Sequence, residues 1–138
     1  MQYSSKLLGK KIREISKLDI PTKEKIYLLV ERFLQLATEK PELIDYFLRV
    51  FLSNREVFKE GCEGFLCVGD VVTELAIFLE EGAKKGDLRQ QDFFTAFVTI
   101  MGPLGGIVFL HGENVLPYDL LSYSNEIAEN IWRALKSD

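Results

Sequence analysis

The sequence predicts an all-helical bundle, and three observations carry that prediction. Apolar residues recur at helical spacing along nearly the whole chain. Strand-like alternation never persists, and the Asn-Gly and Asp-Gly dipeptides that mark tight hairpins are absent. Prolines and glycines fall where helices should begin and end.

The first helix is expected over about residues 3–18, with Leu8, Ile12 and Ile15 on one stripe. Lys6, Lys10, Lys11, Arg13 and Lys17 outnumber Glu14 and Asp19 here, which reads as a solvated basic face. Pro21 suits the first turn of a second helix, because it has no N–H to leave unpaired and its φ is already helical. Ile26, Leu29, Val30, Phe33 and Ala37 form its apolar face. Pro41 opens a third helix in the same way. Glu42 lies favourably at its N-terminal dipole, and Ile44, Phe47, Leu48 and Phe51 form its buried face.

Ser53-Asn54 breaks that helix, and a short amphipathic turn with Val57 and Phe58 stops at Gly61. Gly61, Gly64 and Gly69 then mark a loop or a bent helix start. From Asp70 the pattern is regular again: Val72, Leu75, Ala76 and Leu79 oppose Glu80, Glu81, Lys84 and Lys85. Gly86 ends this helix, since glycine takes the left-handed conformation at no steric cost.

The segment from about Gln91 to His111 is apolar on two faces. Phe94, Phe97, Val98, Met101 and Val108 make one; Phe93, Ile100, Leu104 and Ile107 make the other. Such a helix has to be covered on most sides. Within it, Gly102-Pro103-Leu104-Gly105-Gly106 predicts a kink, with glycines that either admit another backbone or mark a break. Pro117 is expected to open a last helix reaching Lys136. Leu120, Ile127, Ala128, Ile131 and Leu135 form its stripe, widened by Leu121 and Trp132. The total is about seven helical segments with no internal repeat period.

At 138 residues, 47% hydrophobic and 28% charged, the chain is one domain with a sizeable core. The net charge of -4 is no match for nucleic acid. The apolar runs are read as falling short of the ~18 or more residues needed to span a membrane, so no span is expected. The N-terminus lacks the apolar block of a signal peptide. Cys62 and Cys67 are too far apart for a C-x-x-C pair, and a single histidine leaves too few ligands for a Cys/His metal site. Both thiols read as reduced and packed, in a cytoplasmic setting, with no cofactor.

The candidate chemistry is thin, and no enzyme is expected. His111 reads first as a helix C-terminal histidine favoured by the dipole, because no nucleophile accompanies it. Glu80, Glu81 and Asp87 lie on a solvated face rather than across a dry cleft. The Gly102–Gly106 run lacks the Gly-Lys-Ser/Thr end of a phosphate loop and follows no strand. What stands out is aromatic content on several helices: Phe47, Phe51, Phe58, Phe65, Phe78, Phe94 and Phe97, joined by Met101. Most of these are core, but apolar gaps between helices of a bundle are common ligand sites. Tyr46, Tyr123 or His111 would supply a polar handle.

Phe78-Leu79-Glu80-Glu81-Gly82-Ala83-Lys84-Lys85-Gly86-Asp87-Leu88, the apolar helix with Met101-Gly102-Pro103-Leu104-Gly105-Gly106 and the final amphipathic helix follow in an order that resembles the C-terminal domain of TetR-type transcriptional regulators. Phe33-x-x-x-Ala37-x-x-x-Pro41-Glu42-Leu43 is similar to that family's entry into the effector pocket. The resemblance covers residues 20–136. It implies residues 1–138 as a single effector-binding and dimerisation domain, with 1–20 a basic connecting helix and 21–136 the bundle. It implies a small-molecule-sensing role, with an apolar or aromatic effector held between helices 22–38, 41–53, 70–85 and 91–101 by Phe33, Phe47, Phe51, Phe94, Phe97 and Met101. It also implies a homodimer built on the last two long helices through Ile100, Leu104, Gly105, Ile107, Val108, Ile127, Ile131 and Trp132. The family's helix-turn-helix, of roughly 45–50 residues, has no counterpart here, so this chain is not expected to bind DNA itself. The competing reading is a helical protein–protein interaction module with a filled core and no ligand.

Overall fold

The computed structural model describes residues 2–53 and 63–138, with side chains over 6–49 and 70–138. The described residues form six α-helices: α1 Gln2–Ser16, α2 Thr22–Glu39, α3 Pro41–Ser53, α4 Glu63–Lys84, α5 Phe93–Gly112 and α6 Ser124–Leu135, with a 3-10 turn at Leu120–Tyr123 before the last. The expected turn at Val57 and Phe58 and the stop at Gly61 lie outside the described residues, as do Cys62 and the side chains of Phe51, Phe65 and Cys67.

Helix α2 is the central strut. It packs on α1, α3, α5, the 3-10 turn and α6. That position explains why its buried surface is wider than one stripe. Val30, Phe33 and Ala37 are buried as the spacing predicts, and Leu34 and Leu36 are buried with them. Pro21 stands just before α2 rather than inside it, and its carbonyl accepts from Lys25 N. The Lys25 side chain is itself buried, and its Nζ donates to Ser16 O at 2.8 Å, so it caps the end of α1. Burial, with Lys85 as a nearby like charge, pushes its pKa below the usual lysine value.

Helix α1 lies along α4. Their backbones meet where Gly9 has no side chain: a Cβ there would sit 2.9 Å from Asp70 Cβ. One turn further along, Arg13 grips Glu74 through Nε at 2.8 Å and Nη2 at 2.7 Å. Glu74 is buried on the inner face of α4, which runs through Val71, Leu75 and Phe78. That face is rotated from the one expected, because a buried carboxylate interrupts its apolar pattern. Val72, Ala76 and Leu79 are only partly buried. Helix α4 also starts seven residues before Asp70, and Gly64 and Gly69 are accommodated within it. Each glycine costs about 1 kcal/mol relative to alanine, which tertiary packing outweighs.

Gly86, at φ +80°, stops α4 as expected. The chain then pairs with the C-terminal end of α6. Arg89 N donates to Leu135 O, and Ser137 N donates to Asp87 O, both at 3.1 Å. Thr22 Oγ1 donates to Asp87 Oδ2 at 2.7 Å, so the start of α2 joins the same clasp. Pro117 does not open the last helix. It lies in the loop, and α6 begins only at Ser124, after the 3-10 turn.

Helix α5 corrects the membrane expectation. Phe93–Gly112 is 20 residues long and apolar enough, by length and composition, to cross a membrane. Threonine, glycine and proline interrupt the run of large apolar side chains without adding charge. Only 33% of that stretch is buried within the protein. The helix also continues unbroken through Gly102-Pro103-Leu104-Gly105-Gly106, which removes the alternative of a true break. Asp92 caps it by accepting from Thr95 N at 3.0 Å.

Two predictions follow from this packing. Gly9→Val should lower stability by about 1–3 kcal/mol in urea unfolding, because the new side chain meets Asp70; unchanged stability would contradict the close approach of α1 and α4. The second concerns α2 and α6. Tyr27 Oη donates to Glu129 Oε1 at 2.5 Å, Arg133 Nε donates to Glu129 Oε2 at 2.7 Å, and Lys23 Nζ lies 3.6 Å away. The Tyr27 and Arg133 hydrogen bonds hold the Glu129 carboxyl at about 2. A depressed carboxylate stabilises the fold above its unfolded pKa and stops doing so as pH falls through the folded one. Stability should therefore decline between about pH 4.5 and 2, and Glu129→Gln should flatten that part of the profile.

Candidate functional site

Five helices converge on a partly open cavity of about 50 Å³. Helix α1 contributes Leu8, Ile12 and Ile15, and α2 contributes Leu29, Phe33 and Leu36. Phe47 of α3, Val71 and Leu75 of α4, and Ile100, Met101 and Leu104 of α5 complete the apolar wall. Only Lys11 and Arg32 bring charge to it. A cavity this apolar offers nothing to hold water by hydrogen bonds.

The helical periods explain these placements. Leu8, Ile12 and Ile15 stand on one stripe of α1, and Lys11 flanks it. Leu29, Phe33 and Leu36 do the same on α2, flanked by Arg32. Both cations can lay their methylene stems along the apolar wall while their charge stays at the surface. Lys11, Ile15 and Arg32 also line a shallow cleft of about 290 Å³ beside the cavity, completed by Glu14 and Leu18.

Of the residues expected at the ligand site, Phe33, Phe47 and Met101 line this cavity. Phe97 is buried nearby but is not part of the wall, and the Phe51 side chain lies outside the described residues. Phe94 does not belong there: it is 64% exposed on the outer side of α5. Helix α1, expected only as a connector, is a wall of the cavity instead. None of the expected polar handles reaches it. Tyr46 is exposed and Tyr123 is absent from the lining. His111 faces two open clefts near α3 and the 3-10 turn. Lys11 and Arg32 were legible as residues flanking an apolar stripe, but position on a helix does not tell a solvated cation from one beside a cavity.

A second surface lies on the outer side of α5. Phe94, Val98, Gly102 and Gly106 follow one another at four-residue spacing, with Phe109 and Leu110 beyond. Val98 and Phe109 are each 63% exposed. A Cβ added to Gly102 or Gly106 would meet nothing within 4 Å, so no contact inside the protomer requires these glycines. Of the residues expected at a dimer contact, Ile107, Val108, Ile127 and Trp132 are half-buried, packed at the edge of the core. Ile100, Leu104, Gly105 and Ile131 are corrected: they are buried inside the protomer, and Ile100 and Leu104 line the cavity. The sequence shows α5 to be apolar on two faces, but not which face turns inward.

Among the described residues no three His, Cys, Asp or Glu side chains gather to hold a metal ion. Glu80 and Glu81 are exposed, and Asp87 is engaged by Thr22.

No family model matches the chain, and no curated protein matches it by sequence. The fold does have a counterpart among solved structures. The chain is similar to the transcriptional regulator FadR from Bacillus subtilis, whose crystal structure is in complex with stearoyl-CoA. The TM-score is 0.69 at 20% identity, and the match covers 94% of this chain and 69% of that one. The helical bundle of this chain is thus a fold also found in a transcriptional regulator.

Proposed function

We propose that this chain is the effector-sensing and dimerising part of a TetR-type transcriptional regulator, without catalytic activity and acting in the cytoplasm. The observation that carries the reading is the apolar cavity walled on one side by α1. In such a regulator the first helix connects the sensor to the DNA reader, so a ligand that presses on α1 acts directly on the output. The Gly9–Asp70 approach and the Arg13–Glu74 pair tie α1 to α4. A shift of α1 therefore takes α4 with it or breaks a contact to a buried carboxylate. Either route gives two discrete arrangements, and a ligand selects one by binding it better. The stearoyl-CoA held by the FadR neighbour carries a long apolar chain, a chemistry that this lining accepts.

The cavity of about 50 Å³ is far smaller than the roughly 300–1,000 Å³ of a typical ligand site. An effector therefore enters by widening it. The same small volume favours the competing reading, an interaction module with a filled core. Titration calorimetry separates the two: a sensor takes up a long-chain aliphatic compound saturably, and a filled core does not.

Dimerisation is assigned to the outer stripe of α5, with the edge of α6 beside it. The open glycines let a second α5 approach closely. Gly102→Leu with Gly106→Leu should weaken the dimer at least about tenfold in sedimentation velocity by overpacking that contact. The helical circular dichroism of the protomer should be unchanged, since the added side chains meet nothing within it. A dimer indifferent to both substitutions would place the contact elsewhere.

A further inference from the structure

The apolar cavity and the cleft beside it share Lys11, Ile15 and Arg32. Inward from these residues the wall is apolar, and outward the surface is charged. We infer that the two together form one amphipathic site for a long-chain aliphatic molecule with an anionic head, the chain entering between α1 and α2 and the head resting between Lys11 and Arg32. This rests on the effector-sensing reading above and specifies the class of effector.

The charge distribution argues for it. The chain as a whole carries a net charge of -4, yet this mouth holds two cations against the single carboxylate of Glu14. Neither Lys11 nor Arg32 makes a salt bridge among the described residues; Arg32 only reaches the neutral Gln35 oxygen, at 3.4 Å. A surplus of positive charge at the edge of an apolar cavity attracts an anion and repels a cation. An ionised head is favoured further because a guanidinium and an ammonium give it charge-assisted hydrogen bonds. A carboxylate and a phosphate satisfy this chemistry equally well. The cavity itself sets only the apolar part.

The test is titration calorimetry of the full chain with decanoate, 1-decanol and decanoyl-CoA. Decanoate should bind about tenfold more tightly than 1-decanol, the worth of a charge-assisted contact at the mouth. Lys11→Met with Arg32→Met should remove that advantage, so that the double variant binds decanoate no more tightly than it binds 1-decanol. Glu14→Gln should move decanoate the other way, tightening it by removing the opposing carboxylate. Decanoyl-CoA distinguishes the source of the head: tighter binding than decanoate assigns phosphates, and weaker binding assigns a carboxylate. Equal affinity for decanoate and 1-decanol, or decanoate binding indifferent to all three substitutions, would overturn the anionic head and leave the apolar sensor standing. If none of the three compounds binds, the sensor reading falls with it.

Discussion

Helix α5 sets the constraint on which the rest of the molecule depends. It is an uncharged, apolar rod over nearly its whole length, and water is a poor solvent for every side of it. The protomer covers the side that carries Ala96, Phe97, Ile100, Met101 and Leu104, and this burial organises the core around α2. The opposite side, with Phe94, Val98 and Phe109, is left open. Exposed apolar surface of that continuity marks an interaction site. A second copy of the same helix is the simplest cover, because the two sides of such a contact are identical by symmetry and small residues stand at its centre.

The same helix links the two proposed activities. Ile100, Met101 and Leu104 line the cavity on one side of α5, while Gly102 and Gly106 stand on the other. A ligand that widened the cavity would press on α1 in one direction and on α5 in the other. If α5 is held by a partner, it is the more rigid wall, and α1 is the one that yields. The Arg13–Glu74 pair decides how α1 yields. A buried carboxylate deprived of its partner is costly, so the pair favours movement of α1 and α4 together over separation.

Much of this architecture could be read from the residues. Helical spacing identifies the apolar stripes of α1 and α2, Gly86 marks the end of α4, and Phe33, Phe47 and Met101 stand on faces that turn to the cavity. What escaped has physical causes. Glu74 disguises the inner face of α4, because a paired, buried carboxylate looks solvated in a one-dimensional pattern. In a helix apolar on two faces, periodicity cannot say which is inward, so the exposure of Phe94 and the burial of Ile100 and Leu104 are not legible in it. The glycines, proline and threonines of α5 look like punctuation in the sequence and hide its length as an apolar segment. Pro117 signalled a helix start that the chain delays through a 3-10 turn. The polar rim at Lys11 and Arg32 depends on the angle between α1 and α2, which no single helix encodes.

Since all of this turns on what covers the outer side of α5, the most direct measurement is native mass spectrometry of the purified chain at micromolar concentration. The account predicts the mass of two chains. A strict monomer would contradict it, because α5 would then have to leave its apolar side in water with no second copy to cover it.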